Sequence, residues 1–153
     1  MIKYLFFIFI AITVISFKTA FAQEYFVPDA GVFVKTGSFT TNSQTDLSKF
    51  TGTYIAASES YESNYKFEIT QSGNALNIIV TYSYTMDGGD NWNSEATKFS
   101  NVSVDNGYFY IGLYENEKFR FVTGTYKPYD KKKKVTVPGI VMEEYKLFAE
   151  KTD

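Results

Sequence analysis

From residue 50 onward, apolar and polar residues alternate with period two, the pattern of strands that bury one face and wet the other. Tyr65, Phe67 and Ile69 alternate with Lys66, Glu68 and Thr70. Leu76, Ile78, Val80, Tyr82 and Tyr84 then share one face, with Asn77, Thr81 and Ser83 on the other. Phe109, Ile111 and Leu113 alternate with Tyr108, Tyr110 and Gly112, and Phe119 and Phe121 with Lys118 and Arg120. Between these runs lie turn residues, Ser72-Gly73-Asn74, Asp87-Gly88-Gly89, Asn106-Gly107 and Glu115-Asn116-Glu117, which tolerate the positive φ of tight hairpins. The pattern predicts strands near 52–58, 65–70, 75–84, 95–104, 107–114, 118–126, 134–138 and 143–150. The last is rich in helix formers, but Tyr145, Leu147 and Ala149 alternate with Lys146 and Glu150 and favour a strand. The expected fold is all-β: an antiparallel up-and-down meander of about eight strands, closed as a barrel or folded as a sandwich.

Before residue 50 the pattern differs. Lys3 precedes an apolar run from Tyr4 to Ile15, and Ala20-Phe21-Ala22 makes a small-x-small cleavage site, the three parts of a secretory signal in order. The stretch from Tyr4 to Phe17, stopped by Lys18, would span about 21 Å as a helix against the ~30 Å of a bilayer core. A membrane span is therefore not expected. Residues 1–22 are read as a signal peptide cleaved after Ala22, leaving a protein that is periplasmic or secreted. No cysteine follows the apolar run, so no lipid is expected at the new terminus. Residues 23–46 hold two short apolar pieces, Tyr25–Val27 and Val32–Val34, then a Ser/Thr/Asn/Gln-rich stretch read as a polar linker. Asp46 is placed to cap a single turn over 47–50. Residues 47–153 form the single β domain.

Two short motifs carry resemblances. Thr85-Met86-Asp87-Gly88-Gly89-Asp90-Asn91-Trp92 resembles the Asp-box, Ser/Thr-x-Asp-x-Gly-x-x-Trp, of sialidases and several unrelated β proteins. There it is a hairpin device remote from the catalytic centre. The resemblance implies a structural turn in which Asp87 accepts backbone amides, Gly89 supplies positive φ and Trp92 folds over the base, with Thr85 completing the set. The acids Asp87, Asp90 and Glu95 do not have the spacing of a calcium loop. Phe50-Thr51-Gly52-Thr53-Tyr54 resembles the opening of lipocalin-like barrels, with Tyr54 where that family has tryptophan. It implies a small secreted barrel that holds an apolar ligand.

Composition narrows the chemistry. There is no cysteine and no histidine, which excludes disulfides, thiol or Ser-His-Asp nucleophiles, Cys/His zinc sites and a histidine switch. Loss of residues 1–22 would remove Lys3 and Lys18, leaving 13 basic against 17 acidic residues, a balance of −4. Nucleic acid is not an expected partner. Lys131–Lys134 reads as a solvated hairpin loop despite its charge. Glu143 and Glu144 are neighbours on opposite faces, and Glu115 and Glu117 lie in a turn. Neither pair supplies the two tuned carboxylates of a hydrolase, so no enzyme, metal or cofactor is expected. Of the 29 aromatic residues, 23 follow residue 22, and they either fill a core or line a cavity with tyrosine tips at its mouth.

The reading is a secreted, non-enzymatic binding module for a small apolar molecule or a surface glycan, with Tyr82, Tyr84, Ile111 and Phe121 as the expected ligand lining. The alternative is a protein–protein interaction module, an inhibitor or an envelope assembly component. For that alternative the Tyr108, Tyr110 and Tyr114 face, apolar opposite an apolar face, is the expected contact surface.

Overall fold

A computed structural model describes residues 23–113 and 115–152. The expected signal peptide and Tyr114 lie outside the described residues. The described chain is all-β, and its eleven strands share one sheet. They are β1 (Glu24–Val27), β2 (Val32–Lys35), β3 (Phe39–Thr41), β4 (Gly52–Ala57), β5 (Ser63–Ser72), β6 (Ala75–Thr85), β7 (Trp92–Val102), β8 (Tyr108–Ile111), β9 (Glu117–Tyr126), β10 (Val135–Met142) and β11 (Leu147–Lys151). Asp46 caps the 3-10 turn Leu47–Phe50 by accepting from the Ser48 backbone N–H at 3.0 Å. No helix among the described residues is long and apolar enough to cross a membrane.

The eight strands expected after residue 50 correspond to β4 to β11. They form two antiparallel meanders, β4-β5-β6-β7 and β8-β9-β10-β11, joined where β11 pairs with β4. Residues 23–46 add β1, parallel to β11 at Phe26↔Leu147 and antiparallel to β2, and β3, antiparallel to β9. The free side of β9 is thus shared, with β8 along its first residues and β3 along Val122–Gly124.

The sequence left barrel and sandwich open, and of the two the sheet does not close into a barrel. Closure would need a ladder between β7 and β8, and none forms. β8 has four residues against the eleven of β7, too few ladder bonds to zip along it. At its end β7 is also bent by a register shift against β6, where Asn101 takes φ 57° and its amide donates to Asn77 Oδ1 at 3.2 Å.

The inner faces of both meanders meet in the main core. Phe67 on β5 packs edge-on against Phe119 on β9 at 5.7 Å, and Phe121 stacks on Phe50 at 4.0 Å with their rings 9° apart. A second, smaller cluster lies on the other face of β9, β10 and β11, where Tyr25, Val27 and Phe39 cover Val122, Tyr126, Val141 and Phe148. This cover is why β9 is apolar on both faces. It also explains Gly139: a Cβ there would fall 2.3 Å from the Phe148 ring, so only glycine lets that ring lie flat on β10.

Candidate functional site

The four residues expected to line a ligand cavity separate into two pairs. Ile111 and Phe121 are buried in solid core, where Phe121 meets Phe109 at 4.9 Å and Tyr54 at 6.1 Å as well as Phe50. Tyr82 and Tyr84 are half-buried and continue the inner face of β6 towards one end. There they belong to a row of tyrosines: Tyr84 to Tyr82 at 5.5 Å, Tyr82 to Tyr65 at 4.9 Å, and Tyr65 to Tyr145 at 5.3 Å. The space bordered by Tyr65, Tyr82, Glu95 and Leu113 measures about 60 Å³, well under the ~300 Å³ at which small-molecule pockets begin.

Beside this row runs β7. Its inner residues Asn93, Glu95, Thr97 and Phe99 pair with Tyr84, Tyr82, Val80 and Ile78, and its outer residues Ser94, Ala96 and Lys98 with Ser83, Thr81 and Ile79. Along most of its length both faces are exposed; only Phe99 and Val102 tuck in. β7 pairs with β6 alone, so its far edge offers a row of backbone N–H and C=O groups to whatever lies alongside. It carries two charges, Glu95 and Lys98, and no proline.

The hairpin that launches β7 gathers Thr85, Asp87, Gly89 and Trp92 in one turn. Asp87 Oδ1 accepts from the Thr85 hydroxyl at 2.7 Å and from the Asn91 backbone N–H at 3.0 Å, and Oδ2 accepts from the Asn91 side-chain amide. The Thr85 hydroxyl in turn accepts from the Gly89 N–H at 3.0 Å. Gly88 and Gly89 take φ of 76° and 113°, which a side chain would resist. The Thr85 hydroxyl, and then the Asn91 donors, hold the Asp87 carboxyl well below the usual carboxylate range. Trp92 pairs across from Thr85 and is 45% exposed. On β8, Tyr110 is exposed and the Lys118 ammonium lies over the Tyr108 ring at 4.3 Å. Lys131–Lys134 is exposed in the β9–β10 connection.

Sequence reasoning did not find the buried polar cluster under β1. Arg120, 9% exposed, places Nε 3.1 Å from Glu143 Oε1, an ion pair not aligned for a hydrogen bond. Its Nη1 donates to Thr41 Oγ1 at 3.2 Å, and Nη2 reaches the Tyr25 hydroxyl at 3.5 Å. Tyr25 donates to Glu143, and Tyr126 to Glu150. Burial, then the carboxylate each phenol serves, pushes both tyrosine pKa values far above the ordinary one. The signal available in the sequence is that Arg120 is the one arginine of the chain, set between two core phenylalanines. At the mouth, buried Glu117 accepts from the Leu113 and Glu115 backbone N–H groups at 2.8 and 3.1 Å and holds the preceding loop. Among the described residues no three acidic side chains group closely enough to hold a metal ion.

No family model matches the chain, and neither do curated proteins or solved structures.

Proposed function

We propose that this chain is an exported, non-enzymatic interaction module that accepts an extended segment of a partner protein along the far edge of β7. The observation that carries the reading is the contrast among sheet edges. The others belong to strands of three or four residues, β2, β3 and β8, whereas β7 runs for eleven with both faces exposed along most of its length. Soluble proteins usually shorten, charge or cover such an edge because it templates pairing with other chains. An added strand would gain main-chain hydrogen bonds along roughly 35 Å at ~3.4 Å per residue. Its alternate side chains would lie beside Asn93, Glu95 and Thr97, the inner-face residues of β7. A carrier of small apolar molecules is less well supported, because the void beside Tyr82 is about 60 Å³ and Phe121 sits in filled core.

Selection from a displayed random-peptide library tests the proposal. Enriched peptides are expected to protect amides of residues 92–102 from hydrogen exchange. Adjacent residues of a strand point their N–H groups to opposite edges, so Ala96→Pro and Thr97→Pro form a controlled pair. The substitution facing outward should keep the fold and abolish binding; the one facing β6 should weaken the fold. Peptides that protect another surface, or that bind both variants like the parent, would overturn the reading.

A further inference from the structure

At the end of the molecule away from the tyrosine row, an open cleft of about 510 Å³ is walled by residues 43–47, the β5–β6 turn and residues 104–106. We infer that it is a binding site for a neutral carbohydrate, separate from the β7 edge. Its volume falls within the roughly 300–1,000 Å³ of small-molecule clefts. Its walls are set in advance. The Ser43 hydroxyl donates to the Asn106 carbonyl at 3.2 Å, and the chain at Gly107 passes so near the opposite wall that a Cβ would sit 2.7 Å from the Asn42 carbonyl oxygen. The Gln71 side-chain amide donates to the Gly73 carbonyl at 2.9 Å, and Asn106 Nδ2 to Asp105 Oδ1 at 3.0 Å. Little ordering is left for a ligand to impose.

The lining selects among ligand classes. Leu47 and Val104, both packed against the main core, give an apolar floor. Around it stand hydroxyl, amide and carboxylate groups, and the side chains of Gln44, Thr45 and Asn74 have no protein partner among the described residues. A wholly apolar ligand would leave those groups without hydrogen bonds. Asp46 and Asp105 line the cleft and no lysine or arginine does, so phosphates, sulfates and uronates are repelled. Closely grouped acids able to hold a metal ion are absent among the described residues. A neutral sugar meets both demands, its C–H face on Leu47 and Val104 and its hydroxyls donating to Asp105 and exchanging hydrogen bonds with Gln44 and Asn74. The lining contains no aromatic ring for stacking, so a single sugar unit should bind with Kd on the order of 1 mM.

The test is an amide NMR titration of the protein with glucose, galactose, mannose, N-acetylglucosamine and their disaccharides, and with glucuronate and inorganic phosphate as charged probes. At least one neutral sugar should give saturable shifts at residues 43–47, 71–74 and 104–106, with residues 92–102 unmoved. Asp105→Ala should weaken that binding about tenfold. Asn74→Ala, on an exposed turn, should weaken it as well and guards against local misfolding in the first variant. The inference is overturned if no neutral sugar shifts these amides at up to about 100 mM, if glucuronate or phosphate binds there more tightly, or if neither variant weakens binding.

Discussion

Arg120 shows what a single residue decides in this molecule. Lysine could neutralise Glu143, but its one ammonium could not reach Glu143, Thr41 and the Tyr25 hydroxyl at once as a planar guanidinium does. The flanking residues Phe119 and Phe121 point the opposite way, into the main core. Phe121 is 1% exposed and lies flat on Phe50, so Phe121→Ala should cost about 3–5 kcal/mol, the range for a ring removed from solid core. Chemical denaturation of parent and variant reads it directly. A cost under ~1 kcal/mol would mean that the ring borders a void. Alternation placed Phe121 inward correctly from sequence, but whether a buried ring lines a cavity or fills it depends on what approaches from the other meander. Phe50 comes from seventy-one positions away.

Among the elements, β5, β6 and β9 were legible from the alternation that each carries through part of its ten or eleven residues. β1, β2 and β3 were harder to see: they are three or four residues long, β2 pairs only with β1, and the partners of β1 and β3 on β11 and β9 lie more than eighty residues away. The open edge of β7 was also hidden, since a hairpin pattern shows that two strands are near neighbours and not that one is too short to pair. In the hairpin before β7, Asp87 accepts from the Thr85 hydroxyl and the Asn91 backbone amide. Asp87→Ala should lower the melting temperature and speed exchange of the Asn91 amide, which loses its acceptor, while the ladder from Ser83↔Ser94 inward stays protected. Because the Asp87 pKa is depressed in the folded chain, its contribution is present above about pH 4 and lost as pH falls further. Equal acid sensitivity in parent and variant would remove Asp87 from that account.

For the whole molecule, the phenols of Tyr25 and Tyr126 should set the alkaline limit. Their pKa values are raised on folding, so above the ordinary tyrosine value of about 10 the unfolded chain releases protons that the folded chain keeps. Their stabilisation is complete below that value and declines as pH rises through and beyond it. Melting temperature should therefore be flat from about pH 7 to 9.5 and fall steeply above pH 10. The double variant Tyr25→Phe, Tyr126→Phe should flatten that descent even if it is less stable at neutral pH. An unchanged slope would place the alkaline sensitivity in other groups.

The parallel contact of Phe26 with Leu147 also governs timing. The ribosome makes the chain from its N-terminus, so β1 appears early and its partner is among the last residues made, 121 positions later. At roughly 5–20 residues per second, that interval is about 6–24 s. The β4-to-β7 hairpins can pair as they emerge, but Tyr25, Val27 and Phe39 have no surface to cover until β9, β10 and β11 exist. During that interval the apolar N-terminal strands are bare, and their burial is the last step of assembly.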